Sequence, residues 1–312
     1  MKTGSFRAWY RPRTILVVSD VSEHPAHTLQ AITQLRATGA RLFLLPLRKS
    51  NYETRGAEGG LSYLVFNHES NLAEPSPDHT RRALLWAEIL SDATVLKSAP
   101  LEQVAAIAES IHADIVVVVS PDSSSTRFSM ASFEFDLLGS VQVPILIFGK
   151  YTDISSWSTK SFRSILLPIT FGPGLASQFR FACQFARRYQ ARLTVLHVFE
   201  SREPNGHSWE RTPVAVEARL PISELKRERI LCPMEIAVCE GYPERAILRF
   251  NERKHHDLII MGCPRSEPLR RRFGHSVVRG VIAEARCPVL VIGGAVEAHP
   301  ASAEPESLLT RA

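Results

Sequence analysis

Apolar residues along the chain gather into short uninterrupted runs, separated by longer stretches where they recur every three or four positions. The runs TILVVSD (14–20), ARLFLL (40–45), ADIVVVV (113–119) and VPILIFG (143–149) each hold a continuous apolar stretch, without a polar residue at every second position. That pattern suits strands of a parallel sheet covered by helices on both faces. In the second half it predicts strands at 164–169, 191–198, 234–239, 257–261 and 288–292, and helices near 174–189, 214–229, 242–254 and 275–285. Strands alternating with helices of this length fit right-handed crossover units, hence a doubly wound α/β architecture.

The pattern is written twice. Thr14–Asp20 corresponds to Ser164–Thr170 (SILLPIT) at an offset of 150, and ARLFLL at 40–45 to ARLTVL at 191–196 at 151. Helical segments 26–37 and 175–188 follow the first member of each pair. ADIVVVV at 113–119 corresponds to HDLIIMG at 256–262 at 143, and VPILIFG to CPVLVIG at 287–293 at 144. The falling offset puts extra chain in the first half, between Lys49 and His79, where Gly, Asn, Glu, Ser and Pro read as an extended loop. The organisation predicted is two tandem α/β domains, 12–149 and 164–294, joined by a linker at 150–163 and followed by a disordered tail at 295–312.

Composition narrows the classes of function. The chain has 312 residues, 45% hydrophobic and 22% charged, a globular mix that excludes a collagenous or wholly disordered chain. No apolar stretch reaches the length of a membrane span, and the basic first fourteen residues lack the apolar core of a signal peptide, so a soluble cytoplasmic protein is expected. The excess of 37 Lys and Arg over 32 Asp and Glu is scattered, against a nucleic-acid binder. The five cysteines, Cys183, Cys232, Cys239, Cys263 and Cys287, form no CxxC pair and no zinc spacing, so core thiols and no metal site are expected. His255-His256 precedes a strand, and since adjacent residues on a helix would not share a face, it reads as a surface pair and not as metal ligands. Cys263 reads as an exposed thiol whose pKa Arg265 could lower.

In doubly wound sheets, ligands bind beyond the carboxyl ends of the strands. The most informative such loop runs from Met261-Gly262 through Arg265, Arg270, Arg271, Arg272 and Gly274 to His275-Ser276-Val277, where a helix begins. This passage resembles the universal stress protein family, whose nucleotide-binding members carry G-x2-G-x9-G-[ST] between the fourth strand and the last helix. Asp257–Gly262 is similar to the family's strand-to-loop signature and Ala285–Ile292 to its closing strand, while Glu240-Gly241-Tyr-Pro is similar to the turn before its third helix. The resemblance covers nearly all of 160–294 and is weaker over 12–150. It implies two tandem doubly wound domains of the adenine nucleotide alpha hydrolase-like type.

The resemblance also implies a ligand and the residues that hold it. Glycines let backbone N–H groups approach phosphate oxygens, and a helix N-terminus adds positive partial charge. Gly262 matches the first glycine, Arg265 stands at the second and His275 at the third, with Gly274 one residue early. Ser276 and Val277 fall on the family's hydroxyl and valine. Pro168 matches the proline of the first strand, Val198 the second-strand residue whose backbone reads adenine, and Thr170 and Asp20 the acidic residue closing the first strand of each half. A cationic loop could replace glycine amides with side-chain donors for ATP or another adenine nucleotide, Arg265 foremost. The first half keeps Asp20 but has no phosphate loop after Val119, and reads as a degenerate copy with a structural or regulatory role.

Enzyme signatures are missing from the sequence: there is no G-x-S-x-G, no GxxxxGK[ST] and no GxGxxG opening a helix. No carboxylate or metal constellation is evident to position water, so at most slow ATP hydrolysis is expected. Two readings stay open. One is a stress-response protein that binds an adenine nucleotide at the second-half loop. The other is a nucleotide-free interaction or scaffold protein with pseudo-dimeric halves. In the family the final strand commonly forms the dimer contact, which implies that 144–148 and 288–292 pair within one chain. Further association into a homodimer is left open.

Overall fold

Strands that are apolar on both faces need cover on both, and the fold supplies it. The computed structural model describes residues 12–19, 31, 39–46, 93–97, 99, 103–119, 137–138, 141–152, 162–172, 174–200, 212–227, 232–263 and 275–293. Outside these lie the expected helix at 26–37 apart from position 31, the loop at 49–79, the linker centre at 153–161 and the tail at 295–312. Among the described residues, the first half contributes β1 (Thr14–Ser19), β2 (Arg41–Pro46), β3 (Thr94–Val95), β4 (Ile115–Val119) and β5 (Ile145–Phe148), with helix α1 (Val104–Ser110). The second contributes β6 (Ser164–Ile169), β7 (Arg192–Phe199), β8 (Met234–Glu240), β9 (Leu258–Cys263) and β10 (Val289–Gly293). Its helices are α2 (Leu175–Tyr189), α3 (Pro213–Ala218), α4 (Ile222–Arg227), α5 (Pro243–Lys254) and α6 (His275–Glu284).

These strands form one sheet in the order β3-β2-β1-β4-β5-β10-β9-β6-β7-β8. Each half has the same internal order, and the second is laid down in reverse. Every neighbouring pair is parallel except β5 and β10, which run antiparallel with Val289 opposite Ile147, Leu290 opposite Leu146 and Val291 opposite Ile145. At the repeat offset of 144, Leu290 is the counterpart of Leu146, so the pairing is centred on equivalent residues, as at a two-fold interface. The intrachain pairing implied for 144–148 and 288–292 is therefore present. Both described ends of the linker are docked: Thr152 and Phe162 are buried, and the Phe162 ring meets Phe185 and Tyr189 edge-on.

Alternate strand residues feed two cores, one on each face. Ile15, Val17, Val117, Ile165, Leu167 and Leu290 join the core under α2. Leu16, Val18, Val118, Leu166, Ile259 and Val289 join the core under α5 and α6. Each core runs through both halves, so the seam at β5 and β10 is covered on both faces. Gly149, just past β5, lies against α6: a Cβ there would come 2.7 Å from the Ile282 carbonyl oxygen.

Duplication extends to hydrogen bonds. Asp114 Oδ2 accepts the backbone N–H groups of Arg13 and Thr14 at 2.6 and 3.0 Å. Its counterpart Asp257 accepts those of Arg163 and Ser164 at 2.8 and 2.9 Å. These carboxylates tie the start of the first strand of each half to the start of the fourth. At the turn before the second strand, the first half has Gly39 at φ +73° and the second Gln190 at φ +55°. Both are left-handed, so glycine is convenient there but not obligatory.

One expected element is divided. The helix predicted over 214–229 is two short helices, α3 and α4, because Pro221 lacks an N–H and cannot continue the turn from Leu220. Thr212 caps α3, its hydroxyl oxygen accepting the Ala215 N–H at 3.2 Å.

Candidate functional site

The place where the strand order reverses is where a doubly wound sheet can open. In the second half that place lies between β6 and β9. Their ladder holds only Ile165 against Leu258 and Leu166 against Ile259, then stops, although both strands run on. β6 stays paired with β7 as far as Ile169 against His197, and β9 with β10 as far as Cys263 against Gly293. The residues that fail to pair across the gap include Pro168, which has no N–H to give, and Gly262, which has no side chain to fill space. A crevice therefore opens at the carboxyl ends of β6 and β9.

Pro168 and Gly262, two of the expected site residues, face this crevice across one side chain. Gln178, in the first turn of α2, donates from Nε2 to the Pro168 carbonyl at 3.2 Å. A Cβ placed on Gly262 would lie 3.0 Å from Gln178 Cδ and Oε1. Gln178 is half-buried and spans from one wall to the other. Thr170 is exposed immediately beyond β6. Val198 stands one residue past the Ile169–His197 pair, opposite Cys239 of β8, with its side chain against the α5/α6 core. Val277 is half-buried in the same core. Asp20, Arg265 and Gly274, with Arg270, Arg271 and Arg272, lie outside the described residues. Of His275 and Ser276 only the backbone is described, in the opening turn of α6.

Beside the crevice, on the α2 face, lies a cluster that the sequence did not single out. His197 Nδ1 donates to the Ile169 carbonyl at 3.1 Å. Its ring lies 4.7 Å from that of Phe171 and 4.5 Å from that of Phe199. The Arg219 guanidinium covers Phe171 at 3.6 Å from the ring centroid, a cation–π contact. Burial, with the Arg219 charge behind it, lowers the His197 pKa below the usual imidazole value. The signal available for Gln178 was its place in α2, three residues after Leu175 and four before Ala182, on the edge of an apolar stripe. Phe171, His197 and Phe199 gave none beyond belonging to apolar runs.

Two expectations about single residues are corrected. His255 and His256 are not a surface pair: His255 closes α5 in the left-handed region at φ +53°, which turns His256 into the protein, 5% exposed. There it stacks on Phe250, and burial pushes its pKa down to about 4 against the opposing pull of Asp257 and Glu235. Cys263 is buried, because β9 continues through it instead of ending at 261. Among the described residues, no group of three or more His, Cys, Asp or Glu could hold a metal ion, and no helix is long and apolar enough to cross a membrane.

Comparison with known proteins bears on the fold. Residues 161–293 match the model of the universal stress protein family. A universal stress protein of Methanocaldococcus jannaschii is 27% identical over 139 residues, which cover 42% of this chain and 82% of the relative. At the level of fold, a universal stress protein from Archaeoglobus fulgidus superposes with a TM-score of 0.58 at 16% identity, covering 91% of this chain and 97% of that one. A functionally unknown protein from Pseudomonas aeruginosa PAO1 gives 0.56 at 14% identity, covering 92% and 94%. The second half of the chain thus matches the universal stress protein family, and the fold is shared along nearly the whole length.

Proposed function

We propose that this protein is a cytoplasmic, non-catalytic stress-response protein whose second half binds ATP or another adenine nucleotide in the crevice between β6 and β9. The observation that carries the reading is the ladder that stops at Leu166 and Ile259 while both strands continue. The backbone of Gly262 and the amides at His275 and Ser276, where α6 begins, would hold phosphate, because a helix start offers free N–H groups and positive partial charge. Arg265 would add a guanidinium, Gly274 would let the loop turn, and Pro168, Thr170, Val198 and Val277 would line the nucleoside side. The protein is divided into two domains, 12–149 and 164–294, and Asp20 in the first serves the chain, not a ligand.

Isothermal titration with ATP, with and without magnesium, tests this on wild type, Arg265→Gly and Ser276→Ala. Saturable one-site binding that weakens in Ser276→Ala is the expected result. Absence of binding in both wild type and Arg265→Gly would overturn it.

A second reading is favoured by the β5–β10 seam: a nucleotide-free interaction protein in which the paired halves form one docking body. Binding restored only by Arg265→Gly would favour it, since the site would then have been closed by substitution.

A further inference from the structure

Where β6 and β9 part, the space between Pro168 and Gly262 is taken by a side chain that belongs to neither strand. Gln178 of α2 donates from Nε2 to the Pro168 carbonyl at 3.2 Å. A Cβ on Gly262 would meet its Cδ and Oε1 at 3.0 Å and its Nε2 at 3.4 Å, so the carboxamide sits where a side chain at 262 would be. In the first half the counterpart of Gly262 is Val119, whose own side chain is buried in the core under α2. We infer that Gln178 is the specificity-determining residue of the crevice. It competes with the ligand for the space between Pro168 and Gly262, and it yields to a ligand that brings a hydrogen-bond donor to the Pro168 carbonyl, a sugar hydroxyl or an amino group, but not to bare phosphate. This rests on the crevice being the nucleotide site.

The two halves fill the same space by different means. Val119 is held on its own strand and cannot leave without opening the core. Gln178 can leave by side-chain rotation alone. Its backbone is fixed in the first turn of α2, where its N–H donates to the Gly174 carbonyl at 3.0 Å, and the Ser177 hydroxyl donates to the same oxygen at 3.0 Å. The residue is half-buried, so the carboxamide has water to turn towards while the helix stays in place. What departure costs is the bond to Pro168, a single neutral hydrogen bond.

Selectivity follows from what is left behind. With Gln178 gone, the Pro168 carbonyl is an acceptor without its donor, and proline has no N–H of its own to offer. An ionised phosphate oxygen placed there would face another oxygen with no proton between them, and the carbonyl would stay unsatisfied. An O–H or N–H of the ligand restores the bond. The carboxamide itself shows the pattern required: a donor towards Pro168 beside an acceptor towards Gly262. A sugar with neighbouring hydroxyls, or an amino group next to a ring nitrogen, presents the same pair, and a chain of phosphates does not.

The test is isothermal titration of the full chain, wild type against Gln178→Ala, with ATP and inorganic tripolyphosphate as probes. A site that is open only part of the time binds more weakly by that fraction, so removing the competitor raises the apparent affinity. With one net hydrogen bond holding the carboxamide in place, ATP should bind Gln178→Ala about five- to tenfold more tightly. Tripolyphosphate should gain nothing. Gln178→Asn, one methylene too short to bridge to Pro168, supplies the same readout if alanine is not tolerated. ATP binding by the variant alone, with none by wild type, also supports the assignment. Wild-type binding of ATP that is unchanged or weakened in Gln178→Ala overturns the competition and leaves the nucleotide site standing. Equal gains for ATP and tripolyphosphate overturn the donor selectivity. Absence of ATP binding in wild type and both variants overturns the competition and the nucleotide site together.

Discussion

The two switch points of this sheet descend from the same pattern and behave differently. In the first half, β1 and β4 pair along their whole length, from Ile15 with Ile115 to Ser19 with Val119. In the second, β6 and β9 part after two pairs. The repeat offsets identify the cause residue by residue. Val18, which pairs with Val118, is replaced by Pro168, and Val119, buried against Ser19, is replaced by Gly262. One exchange removes a ladder donor and the other removes a side chain, and together they leave a gap that Gln178 spans. Whether the first and fourth strands of a half stay paired to their ends thus turns on two positions, while the surrounding strands, Asp tethers and cores stay alike.

The comparison can be broken at its strongest point first. Val119→Gly should destabilise the protein by about 3 kcal/mol, summing lost burial and the entropy of glycine in a strand, and should create no nucleotide site. Urea unfolding with ATP titration reads both, and strong binding gained in the first half would show that the ladder is not what separates the halves.

A difference of similar size is electrostatic. The first half has Ala113 where the second buries His256. Because the folded pKa of His256, about 4, lies below the unfolded value of 6.5, the unfolded chain binds the extra proton between them. Stability is therefore full above about pH 6.5 and falls as the pH drops towards 4, by about 2–3 kcal/mol. The pH profile of His256→Ala should lack that slope, and identical slopes in the two proteins would remove His256 from the account.

Where the halves are alike, equal effects are expected. Asp114→Ala and Asp257→Ala each leave two strand-start N–H groups without their carboxylate, at about 1–2 kcal/mol apiece. Thermal unfolding that singled out one of them would mean the duplicated tethers no longer carry equal load. The smallest effect sharpens the functional side: Gly262→Val, which gives the second half the first half's residue, should weaken ATP binding about tenfold, or about 1.4 kcal/mol. An unchanged affinity by calorimetry would move the ligand away from β9.

Much of the sheet was legible in the sequence because burial on both faces demands uninterrupted apolar runs, and the second-half strands lie within two residues of their expected bounds. Pairing of the last strands came from the family resemblance, and the structure adds the register centred on Leu146 and Leu290. What escaped depended on a single backbone angle or a distant neighbour. His256 was misplaced because the left-handed turn at His255 ends the helix one residue before it. Pro221, visible in the sequence, was overridden by helical periodicity on either side of it. Gln178 matters only because α2 brings it between Pro168 and Gly262, residues whose nearness depends on a crossover that no local pattern records.

The seam between β5 and β10 has a consequence for how the two halves can change. Two separate chains joined at that edge would carry every mutation twice and would come apart on dilution. Here the partner is tethered, so its local concentration does not depend on how much protein is present. A substitution such as valine for glycine can enter one half while the other keeps its own residue. The joined chain can therefore keep one switch point fully laddered and the other parted, an asymmetry that a pair of identical copies cannot encode.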